Sequence, residues 1–136
     1  MEKKWWHHLT AYQIYTRSFC DSNGDGIGDF QGIISKLDYL QELGIGAIWI
    51  SPFNDSPNYD NGYDISDYYA ILKDFGTMAD LEEMIQECEK RDIIVMMDLV
   101  LNHCSHEHPW FLGACKDRNG KYYDYYIWEE GAEDQP

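Results

Sequence analysis

Five residues between positions 21 and 29 have the types and the spacing of a calcium-binding loop. Loop positions one, three, five, seven and nine are occupied by Asp21, Asn23, Asp25, Ile27 and Asp29. Ca²⁺ prefers carboxylate, amide and backbone carbonyl oxygens, and Gly26 at position six lets the chain turn around an ion. Position twelve is Gly32, whereas an EF-hand has a bidentate glutamate there. The spacing predicts a calcium site, with an aspartate-rich turn that binds no metal as the alternative.

A carboxylate and an aromatic ring stand three residues apart in the segment Asp60-Asn61-Gly62-Tyr63-Asp64. Carboxylates accept hydrogen bonds from hydroxyl groups, and an aromatic face packs against the C–H surface of a ligand. An uncharged polyhydroxylated ligand such as a sugar fits this pair. Asn-Gly is also a common turn signal, so an ordinary turn is the alternative interpretation.

A third polar group follows the apolar run Ile93–Met97. Asp98 ends that run, and Asn102-His103 come shortly after it. His106, His108 and two cysteines lie nearby, but the paired-cysteine and H-E-x-x-H spacings of zinc sites are missing. The segment is therefore expected to offer hydrogen bonds rather than zinc ligands.

Strand-like and helix-like patterns alternate in the order β-α-β-α-β, which indicates an α/β fold with a parallel sheet. The predicted strands are Tyr12–Phe19, Ala47–Ile50 and Ile93–Met97, and the predicted helices are Phe30–Leu43 and Thr77–Arg91. The second and third strands are continuous apolar runs, as expected of strands covered on both faces. Ligands of parallel βα folds bind beyond the carboxyl ends of the strands, so the three polar segments are expected to meet.

The remainder of the chain is rich in aromatic residues. The polar and aromatic segment Asn102–Phe111 is expected to be followed by a short helix and then by the aromatic run Tyr122–Trp128, whose packing partner the pattern does not identify. The acidic end, Glu129–Pro136, has no apolar period and is predicted to be a loop or tail.

Composition excludes several classes of partner. The chain has 10 Lys+Arg against 25 Asp+Glu, a net charge of −15, which disfavours nucleic acids and anionic membrane surfaces. No apolar stretch approaches the roughly 18 residues of a membrane span, and the start lacks the apolar core of a signal peptide. The four cysteines form no C-x-x-C pair and are expected to be free thiols. A cytoplasmic location is the expectation.

A family resemblance runs through nearly the whole chain. Its motifs are Trp5-Trp6, Tyr12–Phe19 (YQIYTRSF), Asp21–Asp29 (DSNGDGIGD), Leu37–Leu40 (LDYL), Ile48–Pro52 (IWISP), Asp60–Tyr68 (DNGYDISDY), Phe75–Thr77 (FGT) and Asp98–His103 (DLVLNH). Together they resemble the amino-terminal third of glycoside hydrolase family 13, the α-amylase superfamily. Within that family the chain is similar to the branch of α-glucosidases, oligo-1,6-glucosidases and dextran glucosidases, because the 21–29 loop is that branch's calcium site.

The resemblance implies the amino-terminal part of a (β/α)8 barrel. Such barrels need about 250 residues, so the 136 residues here are expected to be a fragment with three strands, two helices and the start of a domain inserted after the third strand. We expect residues 1–104 to form the partial barrel and residues 105–136 the start of the inserted B domain, entered near Tyr122–Trp128. One side of the first strand and one side of the third would be open edges.

The resemblance also implies an activity and a role for four residues. Enzymes of the family hydrolyse α-glucosidic bonds with retention, using an Asp nucleophile, a Glu acid/base and a further Asp. All three would lie beyond this chain, which is therefore expected to contain no catalytic residue and to be inactive alone. The implied ligands of an α-glucosyl oligosaccharide are Asp60 for sugar hydroxyls, Tyr63 stacking beneath the glucose and His103 as a donor, while Asp98 positions a neighbouring arginine. A structural Ca²⁺ is implied in the 21–29 loop.

The chain departs from the family pattern near the predicted sugar pocket. Cys104 and His106 replace a usual Thr and Asp, and Tyr59 stands where a small or acidic residue is more common; these changes are expected to affect the preference for the leaving group. Three other hypotheses stay open. They are a non-catalytic relative that keeps the barrel, an enzyme like the trehalose-6-phosphate hydrolases, and a small calcium-binding module. The residues that decide between α-1,4 and α-1,6 linkages would lie beyond Pro136.

Overall fold

A three-stranded parallel sheet and the helices on it organise the chain. The computed structural model describes residues 4–131. The strands are β1 (Ala11–Ile14), β2 (Ala47–Ile50), β3 (Asn54–Asp55), β4 (Asp67–Ile71) and β5 (Ile94–Met97). The helices are α1 (Thr16–Phe19), α2 (Phe30–Ile34), α3 (Leu37–Glu42), α4 (Met78–Glu89) and α5 (Pro109–Lys116), with 3₁₀ turns at Trp5–His8 and Tyr123–Tyr125.

The main sheet has the order β1-β2-β5, with all strands parallel. Ala47 of β2 lies opposite both Ala11 and Ile94, so β2 is central and the other two strands are edges. This order confirms the predicted α/β architecture. A second sheet, the antiparallel pair β3 and β4, was not predicted, because β3 has only two residues and carries no period of its own.

The first predicted strand was too long. β1 ends at Ile14, and Thr16–Phe19, predicted as strand, is the short helix α1. The ladder stops where β2 stops: the Ser51 N–H donates to the Ile14 carbonyl (2.9 Å), and the next residue, Pro52, has no N–H to continue it.

The first predicted helix is interrupted. Residues 30–43 form α2 and α3, separated at Ser35-Lys36. The Ser35 hydroxyl donates to the Gly32 carbonyl (2.7 Å), a side-chain bond that competes with the helical ladder. Ile33, Leu37 and Leu40 are nevertheless fully buried, so one apolar face continues across the break.

The second predicted helix is confirmed. The Thr77 side chain accepts from the Asp80 N–H and the Asp80 carboxylate accepts from the Thr77 N–H, a complete capping box at the start of α4. Leu81, Met84 and Cys88 are buried on one face, whereas Ile85 is exposed. α4 packs on α2, where the Gln31 amide donates to the carboxylate of Asp80.

The core lies between the sheet and α2, α3 and α4. Its members are Ile14, Phe30, Ile33, Leu37, Leu40, Ile45, Ile48, Ile50, Phe53, Leu72, Phe75, Leu81, Met84, Cys88 and Ile93. β2 is covered as predicted, apart from the exposed Trp49. The expectation that β5 is covered on both faces was wrong for this chain: Ile94, Met96 and Met97 are 37%, 41% and 54% exposed, because β5 is an edge strand.

The aromatic run packs against α5, which answers the question of its partner. The Trp128 ring lies nearly parallel to those of Tyr123 (5.0 Å) and Phe111 (6.1 Å), and its indole N–H donates to the Tyr123 carbonyl. α5 begins at Pro109, inside the segment predicted to precede it, because the His108 side chain accepts from the Trp110 N–H and caps the helix there.

Three further predictions can be checked here. All four cysteines are free. Residues 129–131 have no regular structure, and the rest of the predicted tail lies outside the described residues. Within residues 4–131 the longest helix, α4, has 12 residues, and none of the helices combines the length and apolarity that a bilayer span requires.

Candidate functional site

The loop after β2, which runs from residue 51 to residue 66 and includes the short strand β3, is organised by a buried carboxylate. Asp64 accepts hydrogen bonds from the Ser56 hydroxyl (2.9 Å) and from the N–H groups of Tyr59 (2.9 Å) and Asp60 (3.1 Å). Burial by itself raises the pKa of Asp64, but these hydrogen bonds outweigh it and hold the pKa below its usual value. Sequence reasoning placed Asp64 in the turn and missed this role; a second carboxylate in a short turn was the available signal.

Asp60 and Tyr63 are the ends of a tight turn. The Tyr63 N–H donates to the Asp60 carbonyl (3.0 Å), and Asn61 and Gly62 both have left-handed backbones, with φ of 53° and 94°. A side chain at Gly62 would also approach the Pro52 carbonyl to 2.8 Å. The Asn-Gly turn signal is therefore confirmed, and the turn leaves Asp60 exposed and Tyr63 half-buried.

A hydrogen bond joins the loops after β2 and β5. The Tyr63 hydroxyl donates to the Asp98 carboxylate (3.0 Å), a residue 35 positions away. Burial and the neighbouring Asp98 raise the pKa of Tyr63, so its hydroxyl stays protonated as the donor. The Tyr15 hydroxyl, which follows β1, donates to the Asn61 side chain (3.5 Å). Polar groups that follow three strands thus meet, but the group that follows β1 is Tyr15. Within the described chain, residues 21–29 make no hydrogen bond to residues 60–64 or 98–103, so the first of the three predicted polar segments is not joined to the other two.

His103 lies on the loop after β5, exposed, with its ring nitrogen Nδ1 3.1 Å from the Asn102 amide. The loop is held by the Tyr68 hydroxyl, which lies 2.9 Å from both the Val100 and His103 carbonyls. His103 also borders a pocket of about 470 Å³ whose other walls include Trp110 and Tyr126.

Tyr59 and His106 form a ring pair that sequence reasoning did not join. Their centroids are 5.5 Å apart with the planes tilted by 34°. Both residues depart from the family pattern. The pair spans the same two loops as the Tyr63–Asp98 hydrogen bond.

The 21–29 loop is a series of side-chain turns. Asp21 accepts from the N–H groups of Asn23, Gly24 and Gly26, and these bonds, with those of Gly26 and Gly24 the strongest, hold the pKa of Asp21 below its usual value. The amide oxygen of Asn23 accepts from Asp25 in the same manner. The Asp25 carboxylate accepts from Ile27 through one oxygen.

Both carboxylate oxygens of Asp29 accept hydrogen bonds that stabilise the loop and the start of α2. One carboxylate oxygen accepts from the Gly32 N–H (2.6 Å) and caps α2, and the other accepts from the N–H and hydroxyl of Ser22. Among residues 4–131, no three acidic, histidine or cysteine side chains are grouped as a metal cage. The donor set is nevertheless all oxygen and suits a hard cation: within the described chain the second Asp25 oxygen and the Ile27 carbonyl accept no hydrogen bond.

The sequence profile described as "Alpha amylase, catalytic domain" matches residues 13–136. The chain belongs to the alpha-amylase family. Oligo-1,6-glucosidase from Bacillus cereus is 61% identical over 133 residues, which cover 98% of this chain and 24% of that protein.

Two solved structures of the family superpose closely. Isomaltulose synthase from Klebsiella sp. LX3 is 54% identical with a TM-score of 0.96, over 100% of this chain and 24% of that one. Trehalose-6-phosphate hydrolase from Bacillus licheniformis is 51% identical with a TM-score of 0.92, over 97% of this chain and 24% of that one. The chain thus spans about a quarter of the length of these relatives. The predicted fold, the amino-terminal part of an alpha-amylase family barrel, and the resemblance to the oligo-1,6-glucosidase branch are confirmed.

One histidine of this alpha-amylase chain makes its stability depend on pH. His108 is buried, and its Nδ1 accepts from the Trp110 N–H, which requires that nitrogen to be unprotonated. The rings of Tyr68 and Trp110 pack against it. Burial lowers the pKa of His108, while the charge of Asp67 acts in the opposite direction.

We expect the free energy of unfolding to fall as pH falls from about 7 towards the lowered folded pKa of His108. An unfolded histidine titrates at about 6.5, so just below that pH the unfolded state binds more protons and is favoured. His108→Asn keeps a capping oxygen and removes the titration, so its stability should change less over this range. Urea unfolding at several pH values measures this, with the exposed His8→Asn as control. Equal pH slopes in His108→Asn and the parent chain would contradict the prediction.

Proposed function

We propose that this chain is part of a longer enzyme that hydrolyses terminal α-glucosidic bonds of oligosaccharides with retention of configuration. The observation that carries the proposal is the Tyr63–Asp98 hydrogen bond, which holds the loops after β2 and β5 together. It brings the half-buried Tyr63 ring and the Asp98 carboxylate together at the carboxyl ends of parallel strands, where barrel enzymes bind their substrates. The Asp60 carboxylate and the His103 imidazole lie on the same two loops.

Each group has a stated role toward the terminal glucose. The exposed Asp60 carboxylate accepts hydrogen bonds from sugar hydroxyls, and the Tyr63 ring packs against the C–H face of the sugar. His103 donates to a glucose hydroxyl and favours the transition state. Asp98 orients the Tyr63 ring through its hydroxyl and positions an arginine supplied by the longer polypeptide.

The bond-breaking groups lie outside this chain in the proposal. A retaining glycosidase needs two carboxyl groups about 5–5.5 Å apart, one as nucleophile and one as acid/base. Asp98 accepts a hydrogen bond from the Tyr63 hydroxyl. Asp64 is buried and accepts hydrogen bonds from Ser56, Tyr59 and Asp60 in its own loop. Neither carboxylate is therefore assigned to those roles. We propose that residues 1–104 belong to the barrel and residues 105–136 to an inserted B domain, and that this chain alone is inactive.

Hydrolysis of p-nitrophenyl α-glucoside tests the proposal. We expect activity from the longer polypeptide that carries this chain and none from the 136-residue chain itself. Activity of the 136-residue chain would show that its own carboxylates do the chemistry. Inactivity of the longer polypeptide would instead favour a non-catalytic relative.

A second candidate function is hydrolysis of trehalose 6-phosphate. It is favoured by the close superposition on trehalose-6-phosphate hydrolase from Bacillus licheniformis. Against it, within the described residues no hydrogen bond or ring contact of Asp60, Tyr63, Asp98 or His103 involves a lysine or arginine that would bind a phosphate. Comparing rates on trehalose 6-phosphate and isomaltose separates the two candidates.

A structural calcium ion in the 21–29 loop is a further part of the proposal. Its ligands would be Asp21, Asn23, Asp25 and the Ile27 carbonyl, with Asp29 at the position that often binds through water. The loop supports this with three carboxylates and no lysine or arginine between Ser18 and Ser35. A bound ion would hold the loop between α1 and α2 and so stabilise this part of the barrel wall.

We expect calcium to raise the free energy of unfolding of the chain. The gain is about 2.7 kcal/mol when free calcium is roughly 100 times Kd. Asp25→Asn keeps the hydrogen bond to Ile27 and loses the charged free oxygen, so it should abolish most of the gain. Asp117→Asn, which alters a similar turn at Asn119, is the matched control. Thermal unfolding with calcium and with chelator measures the effect, and an unchanged midpoint in the parent chain would exclude the site.

A cytoplasmic location completes the proposal. Its support is that all four cysteines are free, as is usual for proteins kept in a reducing compartment. Fractionation of the native host cells tests it.

A further inference from the structure

Two exposed rings stand together at the rim of the candidate sugar site. Tyr59 is 75% exposed, and its ring centroid lies 5.5 Å from that of the exposed His106. Tyr59 directly precedes Asp60, and His106 follows His103 by three residues. The Tyr59–His106 pair therefore bridges the two loops that carry the proposed glucose ligands.

The backbone segments that carry Tyr59 and His106 are both hydrogen-bonded to the dipeptide Asp64-Ile65. The Tyr59 N–H donates to the Asp64 carboxylate (2.9 Å). On the other loop, the Ser105 N–H donates to the Ile65 carbonyl (2.8 Å), and the buried Ser105 hydroxyl accepts from the Glu107 N–H. The rings are thus exposed on fixed backbones, which is the arrangement of a recognition surface.

We infer that the Tyr59–His106 pair binds the leaving-group sugar and selects substrates in which that group is uncharged. The inference rests on the proposed function and deepens it. A terminal glucose at Asp60 and Tyr63 leaves only the rim for the rest of the substrate, and aromatic rings pack well on the C–H face of a sugar. The neighbouring carboxylate of Asp60 repels a phosphorylated leaving group. The carboxylate of Glu107, 3.8 Å from Nε2 of His106, offsets the positive charge that this imidazole carries when it is protonated.

The experiment uses the longer polypeptide that carries this chain and two substrates that share the glucosyl group. The leaving group of isomaltose is a sugar, whereas the leaving group of α-glucosyl fluoride is fluoride. We expect Tyr59→Ala and His106→Ala each to lower kcat/KM for isomaltose by about three- to tenfold, the effect of losing one ring contact. Hydrolysis of α-glucosyl fluoride should not change. Tyr69→Ala, which removes an 87% exposed ring on β4, is the matched control.

The outcomes separate this inference from the proposed function. If the parent enzyme cleaves both substrates and the two variants lose both rates equally, or neither, the inference is wrong and the proposed function stands. If the parent enzyme prefers trehalose 6-phosphate to isomaltose, the selection of an uncharged group is wrong. If it cleaves no α-glucoside, both proposals fail. Because His106 lies on a different loop, it supplies an independent variant should Tyr59→Ala fail to fold.

Discussion

Replacing Asp60 by Asn in the longer enzyme is expected to lower kcat/KM for an α-glucoside about tenfold to hundredfold. A hydrogen bond to a charged group contributes about 1.5–3 kcal/mol, and each 1.4 kcal/mol is about tenfold in rate or affinity. The fold should persist, because Asp60 is exposed and its contribution to the turn comes from its backbone N–H and carbonyl. Steady-state kinetics of parent and variant with p-nitrophenyl α-glucoside measure the loss.

The control for Asp60→Asn is Asp92→Asn. Asp92 is an exposed aspartate in the loop between α4 and β5, at the opposite end of the strands, and its left-handed backbone (φ 55°) is one that asparagine adopts readily. Its substitution changes the net charge equally without touching the sugar site. Equal kcat/KM values for Asp60→Asn and Asp92→Asn would show that the Asp60 side chain does not bind the substrate.

Local signals were sufficient for much of the fold. The Thr77 and Asp80 capping box, the Asn61-Gly62 turn and the apolar run of β2 each depend on a few neighbouring residues, and the structure contains all three. The break at Ser35 is also local, but a serine in a helical period is usually tolerated. That α2 ends at Ser35 becomes clear only from the hydrogen bond between the Ser35 hydroxyl and the Gly32 carbonyl, which the sequence does not reveal.

The candidate site could be predicted only in part. Parallel strands bring their carboxyl ends together, so the meeting of the loops after β2 and β5 followed from the strand order. Which side chains touch did not follow, because Tyr63 and Asp98 are 35 residues apart and Tyr59 and His106 are farther apart still. The exposure of β5 depends on which segments pack beside this edge strand. The pattern of apolar residues within the strand carries no information about those segments.

One core residue connects the 21–29 loop to the segment that leads to Asp60. Phe30 is fully buried and is the first residue of α2, directly after the cap Asp29. Its ring packs edge-on against Phe53 (5.6 Å), in the segment that leads from β2 to the turn at Asp60. Its backbone N–H donates to the Phe75 carbonyl (3.0 Å), just before α4. Phe30 therefore holds three segments at one point.

We expect Phe30→Ala to lower the free energy of unfolding by about 3–5 kcal/mol, the usual cost of emptying a buried aromatic site. A domain has only about 5–15 kcal/mol in total, so the variant would be close to unfolded. Phe30→Leu should cost less because it fills most of the space, and Tyr39→Ala, which removes an exposed ring on α3, should cost little. Urea unfolding of the four chains gives this order. A cost for Phe30→Ala no larger than that for Tyr39→Ala would mean that the Phe30–Phe53 contact does not hold the two loops, and the sugar site would need another support.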